Sequence, residues 1–280
     1  MKHQLTPEHV ESFVRNLYIE EKSQATMKKY RHDVNVFVNF LDGVDVDKEV
    51  VIRYKEYLLR TYQVASANSM LAALNHFLKF LGWDECCVKA LKTQRALFYA
   101  SERFLSRGDY QRLLRTAEQE NVRLARIMET ICTTGIRISE LNFVTVEALK
   151  QGRVEVTNKG KTRTVFLAPG VNRKLTNYCM NRGIRKGPVF ITAGGKPLNR
   201  SNIWADMKRI CEKAGVDAGK VFPYNLRHLF AYTYYDMDKD LVHLADLLGH
   251  SNIETTRVYT KEPAVAQCEN MEKIRTLLSE

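Results

Sequence analysis

Five short segments between residues 134 and 260 contain side chains suited to chemistry at a phosphate. In chain order they contribute Arg137, Lys159, Arg227, His250 and Tyr259. Breaking a phosphodiester without a metal requires cations around the non-bridging oxygens as charge shifts in the transition state. Arginine suits this task because its planar guanidinium offers paired donors and stays charged. The set therefore indicates a site that holds and activates a phosphate.

Each of these residues alone also has an ordinary structural explanation. Arg137 is compatible with a surface ion pair, Lys159 with a solvated turn, and His250 with the end of a helix. Tyr259 is one of 13 tyrosines, and most tyrosines are packing residues. The hypothesis therefore depends on the order and spacing of the segments. They are 134–141, 158–160, 223–228, 247–251 and 255–260.

Taken in order, the segments resemble the catalytic half of the tyrosine recombinase (phage integrase) family. That family shows T-G-x-R-x-x-E-L, a turn lysine, H-x-L-R-H, L-G-H and then a tyrosine nine residues after the last histidine. His250 and Tyr259 have that spacing here. One position departs, because Tyr224 stands three residues before Arg227, where the family has histidine. The match covers nearly the whole chain and is closest in type to simple two-domain Xer-like or transposon integrases.

The resemblance implies a covalent mechanism. Tyr259 is the expected nucleophile, and its attack would leave a 3′-phosphotyrosine and a free 5′-hydroxyl. A phenol needs activation for this role, since its ordinary pKa is about 10. Lys159, on a predicted turn, is the resemblance-based candidate for the general acid that protonates the leaving oxygen. Because bond energy is kept in the phosphotyrosine, no cofactor and no metal is expected.

The remaining site residues would hold the phosphate. Arg137 and Arg227 are expected to clamp it, and His250 to donate to it through one ring nitrogen. Glu140 follows Arg137 by three residues on a predicted helix, so it can lie beside the arginine and orient it. Tyr224 leaves two interpretations open: its hydroxyl donates one hydrogen bond at the site, or its ring only packs.

The elements that position these residues fall into two groups. Apolar residues at helical spacing predict four short amphipathic helices before residue 82, with Thr6-Pro7 starting the first and Ser23 near the start of the second. Residues 84–104 lack a clear period and carry scattered basic residues, which predicts a linker. We expect a helical core-binding domain at 1–95, a basic linker at 96–103 and a catalytic domain at 104–280.

The second group is mixed. Ser106-x-x-Asp109 predicts a capping box, and a buried helix is expected from about Val122 to Thr133. The residues around Asn158-Lys159-Gly160 predict a small β-hairpin. Gly249 is predicted to end a helix at 241–248, and Ser251-x-x-Glu254 to start the next helix by a capping box. The fold class is therefore mainly α with a small β-sheet, in two domains, and the resemblance implies that these domains form a clamp around DNA.

Composition agrees with a DNA partner. The formal net charge is +11, and residues 1–98 hold only 14 basic against 12 acidic side chains, so most of the excess falls in the second part. A basic surface attracts phosphate backbones.

The six cysteines form no C-x-x-C pair, which predicts free thiols in a reducing compartment. The sequence also shows no signal peptide and no membrane span, so we expect a cytoplasmic protein.

The resemblance implies a site-specific recombinase, or integrase of a mobile genetic element, that acts on double-stranded DNA with no small-molecule substrate. A homotetramer on two DNA sites is expected through a C-terminal helix within 264–280. The chain begins close to its first predicted helix, so no further N-terminal domain is expected. Two alternatives remain: a type IB topoisomerase-like enzyme that reseals the same strand, and a catalytically inactive DNA-binding derivative, which Tyr224 leaves open.

Overall fold

A computed structural model divides the chain into two compact units, Met1–Arg95 and Ala96–Glu280. The predicted linker at 96–103, Lys159 and most of the predicted C-terminal helix lie outside the residues that the structure describes. Those described residues are 2–92, 104–158, 160–192, 194–260, 272, 274–276 and 279. Within them, the helices lack the combination of length and apolar character that crossing a lipid bilayer would take.

Four helices form the described part of the first unit, as the apolar spacing predicts. They are α1 Pro7–Ile19, α2 Gln24–Leu41, α3 Lys48–Thr61 and α4 Val64–Phe80, followed by a 3-10 turn at Asp84–Cys86. Thr6 precedes α1, and the Ser23 side chain accepts from the backbone N–H of Thr26 at the start of α2. Each helix buries one face, and the faces meet in an aromatic and aliphatic core. Its largest fully buried members include Phe13, Leu17, Phe37, Tyr54 and Phe77.

Residues 84–92 differ from the predicted linker. The Asn75 side chain donates to the carbonyl of Val88 at 2.7 Å and accepts from its N–H at 3.0 Å. Asn68 makes the same pair of bonds with Leu91, at 3.0 and 2.7 Å. The two asparagines on α4 therefore hydrogen-bond to the backbone of this segment. Residues 84–92 pack on the helical unit even though their sequence has no helical period.

The second unit is mostly helical with one hairpin. Its helices are α5 Arg107–Glu120, α6 Val122–Thr134, α7 Val146–Gln151, α8 Pro169–Arg182, α9 Arg200–Arg209, α10 Cys211–Ala214, α11 Pro223–Asp238 and α12 Leu241–Leu248. Strands β1 Arg153–Asn158 and β2 Lys161–Phe166 pair antiparallel, with Val154 opposite Val165. Short 3-10 helices lie at Ile138–Phe143, Ala218–Lys220, Ile253–Thr255 and Arg257–Thr260. The predicted fold class, mainly α with a small sheet, is confirmed.

Helix α6 lies at the centre of this unit and packs against α5, α8 and α11. It is buried along most of its length, with Leu124, Ile127, Met128 and Ile131 inside the core. Since α6 leads directly into the segment that carries Arg137, the core fixes the start of the candidate site.

Local sequence signals were correct at most element ends but wrong at one. The capping box of Ser106 and Asp109 is present, and Gly249 ends α12 in the left-handed conformation, with φ of 62°. The predicted capping box at Ser251 is wrong. Asn252 caps instead, accepting from the N–H of Glu254 at 2.8 Å, and a 3-10 turn follows rather than an α-helix. A cap that reaches only two residues ahead suits the tighter turn.

Candidate active site

The chain passes from the end of α6 to Arg137 through a tight turn at Gly135. Gly135 has φ of 63°, and a Cβ there would lie 2.4 Å from the ring of Phe230. Both the left-handed backbone and the close ring exclude a side chain. The chain then enters the 3-10 helix Ile138–Phe143, with Arg137 as its N-cap residue.

Glu140 joins Arg137 to a second arginine that the sequence analysis did not single out. The Glu140 carboxylate accepts from the backbone N–H and from Nη1 of Arg137, both at 2.9 Å. It also accepts from Arg163 on β2, at 3.1 Å from Nη1 and 2.8 Å from Nη2. Only 2% of the Glu140 side chain is exposed, so one buried carboxylate lies between two guanidinium groups.

This pairing determines the charge of Glu140. Burial alone would raise the pKa of its carboxyl group, but the hydrogen bonds from Arg163 and Arg137 outweigh burial and lower the pKa to about 2. Glu140 is therefore an anion at neutral pH. The structure brings it beside Arg137, where the sequence analysis expected an orienting residue. Arg163 gave no comparable signal, because its contact with Glu140 depends on how the hairpin folds back on the chain.

Arg227 extends from the first turns of α11 into the protein interior and is 5% exposed. It donates to the carbonyl oxygens of Gly135 and Leu248, and its Nη2 lies 3.0 Å from Nε2 of His250. Burial and the nearby charge of Arg137 lower the pKa of Arg227 to about 10, so the group remains a cation at neutral pH. Carbonyls at two helix C-termini, which carry partial negative charge, hold this buried cation.

His250 is held from both ring nitrogens. Its Nδ1 lies 2.8 Å from Oγ1 of Thr256, and its Nε2 faces Arg227. Burial and the cations Arg227, Arg137 and Arg163 lower the pKa of His250 to about 4. The ring is therefore neutral at physiological pH, at the break between α12 and the 3-10 turn that follows.

Tyr259 is buried, with 2% of its surface exposed. Its ring packs edge-on against His228 at 5.1 Å between centroids and lies parallel to His250 at 6.4 Å. Burial and the neighbouring Tyr224 raise the pKa of Tyr259 to about 12, while Arg227 acts in the opposite direction. The phenol is therefore protonated and must lose its proton as it reacts.

Tyr224 lies on the first turn of α11 and is half exposed. His228, one turn further along, is buried, stacks on Phe104 at 3.8 Å and touches the ring of Tyr259. Burial lowers the pKa of His228 to about 4. His228 thus supports Tyr259 from the protein interior, whereas the side chain of Tyr224 is half exposed to solvent.

The described site residues share one cleft of about 780 Å³ in the second unit. Arg137, Tyr224, Arg227, His250 and Tyr259 all line it. Glu140 lies behind Arg137. Lys159 is predicted to lie in the turn of the hairpin, and it falls outside the described residues. The wall also includes residues of α9 that the sequence analysis missed, namely Arg200, Ser201 and Trp204.

The five cysteines that the structure describes are free thiols. In the first unit, His3, Glu85 and Cys86 place possible metal-ligand atoms within 4.8 Å of one another, a grouping that sequence spacing did not indicate. His3 Nε2 already pairs with Glu85 at 2.7 Å, and its ring stacks on Trp83 at 4.5 Å. These contacts tie the N-terminal residues to the 3-10 turn at Asp84–Cys86.

Family models match both units of the chain. The phage integrase family model matches residues 103–264, and the model of the phage integrase N-terminal SAM-like domain matches residues 10–85. The first match alone covers more than half of the chain, and it contains every candidate catalytic residue.

Individual relatives agree with these matches. The tyrosine recombinase XerA of Pyrococcus furiosus is 26% identical, over 98% of this chain and 96% of the relative. The tyrosine recombinase XerD of Xanthomonas axonopodis pv. citri is 28% identical, over 90% and 92%. A crystal structure of a lambda integrase tetramer bound to a Holliday junction has the same fold, with a TM-score of 0.72 at 16% identity over 91% of this chain and 77% of that chain. The chain therefore belongs to the phage integrase family of tyrosine recombinases, enzymes that cleave and rejoin DNA.

Proposed function

We propose that this chain carries out site-specific recombination with Tyr259 as the nucleophile and with Arg137, Arg227 and His250 as the groups that bind the scissile phosphate. The observation that supports this proposal is that two guanidinium groups, one imidazole and one phenol line a single cleft. These groups come from three separate parts of the sequence, at residues 137, 227 and 250–259, and surface ion pairs or separate packing contacts would not require them to meet.

The proposed step is a displacement at phosphorus. The Tyr259 oxygen forms a bond to the phosphorus atom, the bond to the 5′-oxygen breaks, and the DNA strand remains attached as a 3′-phosphotyrosine. The phenol proton leaves to solvent in the cleft, and Lys159 supplies a proton to the 5′-oxygen. A 5′-hydroxyl from the partner duplex then attacks the phosphotyrosine and releases Tyr259, so the two strands are exchanged.

The charges of the site fit this step. Arg137 and Arg227 are cations at neutral pH and can stabilise the charge that develops on the phosphate oxygens. Glu140, which Arg163 also binds, holds Arg137 in place from behind. Burial raises the pKa of Tyr259 above the ordinary value for a phenol, and Arg227 acts in the opposite direction because it stabilises the anion.

A nicked suicide substrate tests the assignment of the nucleophile. The broken strand diffuses away after cleavage, so the wild-type protein should accumulate a covalent adduct on a denaturing gel. Tyr259→Phe removes only the attacking oxygen, so it should bind the same DNA and form no adduct. An adduct in Tyr259→Phe would reject the assignment. Relaxation of plasmids without a specific site would instead favour a topoisomerase-like activity.

We also propose that four copies assemble on two DNA sites through the C-terminal segment. Its apolar residues recur at roughly helical spacing, and such a stripe needs an apolar partner. They are Ala264, Cys268, Met271, Ile274 and Leu278. The similarity in fold to a lambda integrase that forms a tetramer on a Holliday junction supports the proposal.

Deleting residues 264–280 should separate DNA binding from assembly. The shortened protein should still shift one DNA site on a native gel, because the described cleft is intact, but it should form no complex with two duplexes. Normal two-duplex complexes from the shortened protein would overturn the proposed role of this segment. The matched control is a full-length variant with the charged Glu272 changed to Gln, which leaves the apolar stripe intact and should assemble normally.

A further inference from the structure

Thr256 connects two groups of the candidate site and is itself fully buried. Its Oγ1 lies 2.8 Å from Nδ1 of His250, and its carbonyl oxygen accepts from the backbone N–H of Tyr259 at 2.9 Å. Its own N–H donates to the carbonyl of Ile253 at 2.8 Å. One residue therefore bonds the ring that faces the phosphate and the backbone of the nucleophile.

The contacts of His250 determine which ring nitrogen carries the proton. Arg227 has only N–H donors, so at 3.0 Å the Nε2 of His250 must accept from it. In a neutral imidazole the other nitrogen then holds the hydrogen. Nδ1–H therefore donates to the Thr256 hydroxyl. The low pKa of His250 agrees with a neutral ring.

This protonation state does not suit a bound phosphate. To donate to a phosphate oxygen, Nε2 must carry the hydrogen, and Nδ1 must then accept a hydrogen bond. A threonine hydroxyl can do either, because it has one O–H donor and two lone pairs. Exchange of the two tautomers removes one proton from Nδ1 and adds one proton to Nε2, so the total charge of the ring does not change.

We propose that Thr256 is a positioning residue whose hydroxyl partners Nδ1 of His250 in both tautomers, so that the ring accepts from Arg227 in the empty site and donates to the phosphate in the complex. The inference rests on the proposed function of His250 as a phosphate donor. The Thr256 carbonyl adds a fixed connection to Tyr259, so the ring and the nucleophile keep a constant spacing.

Two substitutions separate the hydroxyl from the packing of Thr256. Thr256→Val has nearly the same shape and no hydroxyl, whereas Thr256→Ser keeps the hydroxyl and loses a methyl group. Thr130 offers a matched control, because it is also fully buried and its hydroxyl donates to the carbonyl of Arg126, at 2.7 Å. Thr130→Val therefore reports the effect of the same substitution away from the cleft.

The measurement is single-turnover cleavage of the nicked suicide substrate, together with DNA affinity and thermal melting. Thr256→Val should cleave about tenfold more slowly, which corresponds to about 1.4 kcal/mol. Its affinity for DNA should stay within about twofold, and Thr256→Ser and Thr130→Val should cleave within about threefold of the wild type. Nitrogen NMR of the His250 ring in the DNA-free protein should show the Nδ1-protonated tautomer in all three proteins, because Arg227 donates to Nε2 in each of them. In Thr256→Val the Nδ1 signal should differ from that of the wild type and of Thr256→Ser, because Nδ1–H has lost the hydroxyl that accepts from it.

A double-mutant cycle with His250→Ala completes the test. If Thr256 acts through His250, adding Thr256→Val to His250→Ala should cause no further loss of cleavage. A wild-type cleavage rate in His250→Ala would reject the proposed function of His250 itself. A strong loss in His250→Ala with wild-type cleavage in Thr256→Val would overturn only the inference about Thr256. Equal losses in Thr256→Ser and Thr256→Val would also overturn it, because packing would then explain both.

Discussion

The two sides of the cleft are held by different forces. On one side, Arg137 and Arg163 share a buried carboxylate, and directional hydrogen bonds fix both guanidinium groups. On the other side, Tyr259 belongs to a small apolar cluster with Ala231, Leu244 and Leu248, and its ring packs against His228. Charge and hydrogen bonding dominate the first side, and burial dominates the second.

The difference follows from what each side must do. A phosphate clamp must keep its charge at all times, so the cations need a fixed geometry and compensating partners. A nucleophile must stay neutral until it attacks, and an apolar site disfavours the phenolate form of Tyr259 in the meantime. Variants on the arginine side should therefore alter cleavage and acid stability together, whereas variants on the tyrosine side should alter cleavage with little effect on acid stability.

The largest effect is expected from Arg227→Lys, with Arg137→Lys close to it. Lysine keeps the positive charge but loses the planar pair of donors, and Arg227 is the more buried of the two. Loss of one such donor typically slows catalysis by about 100- to 1,000-fold. Cleavage in single-turnover assays should fall by this order, while DNA affinity should change by only a few-fold.

A matched exposed site gives the control for the arginine variants. Arg182 ends α8 away from the cleft, and Arg182→Lys should leave cleavage and affinity at wild-type levels. If Arg227→Lys weakened DNA binding as much as cleavage, the arginine would serve binding rather than the transition state, and the comparison between the two sides would lose its basis.

An intermediate effect is expected from Glu140→Gln. The pKa of Glu140 falls from an ordinary 4.5 to about 2, which corresponds to up to about 3 kcal/mol of stability from the charged form. Because the folded-state pKa is lowered, this stability is present above pH 4.5 and is lost as the pH falls toward 2. Urea unfolding should show the wild type losing its advantage over Glu140→Gln across that interval.

Glu118, which is partly exposed and pairs with Arg126, provides a control for Glu140→Gln. Glu118 is also bound by two N–H groups of one arginine, both at 2.7 Å, but 35% of its side chain is exposed. Glu118→Gln should therefore cost less than about 1 kcal/mol. An equal loss in both variants would show that burial does not distinguish the site carboxylate. Tyr259→Phe should leave the acid dependence of unfolding unchanged.

The smallest effect is expected at Tyr224. Tyr224→Phe removes only a hydroxyl group, which contributes of order 1 kcal/mol, so cleavage should slow by about fivefold. Tyr224→His restores the residue of the family pattern and should retain or raise the rate. Single-turnover cleavage between pH 6 and pH 9, the interval around the histidine pKa, would compare the three proteins. Equal rates for Tyr224→Phe and the wild type would leave only a packing role for this ring.

Local patterns predicted most of what lies along a single element. The helices of the first unit follow from apolar periodicity, and Gly249 as a helix end follows from its position after an apolar run. The proximity of Glu140 to Arg137 also follows from a spacing of three residues. The same reasoning failed at Ser251, because it assumed an α-helix where the chain makes 3-10 turns capped by Asn252.

Contacts between distant segments were not predictable in this way. Arg163 looks like an ordinary strand residue until β2 folds against the 3-10 helix that carries Glu140. Thr256 is only six residues from His250, but it likewise looks like any turn threonine until the break after α12 brings the two side chains together. Neither contact leaves a periodic signal in the sequence, because the first depends on how the hairpin packs and the second on an irregular break between helices.

The glycine that ends α6 limits how this protein can vary. At Gly135, a Cβ would lie 2.4 Å from Phe230 and 3.0 Å from Leu248, and the backbone has φ of 63°. Shortening Phe230 would relieve the first contact but leave the Leu248 contact and the cost of a left-handed backbone, so one compensating change would not remove the whole penalty of a side chain there. In a library selected for folding, residue 135 should stay glycine even where cleavage is not selected. A lineage that lost its recombinase activity would therefore keep this glycine after its catalytic residues had drifted.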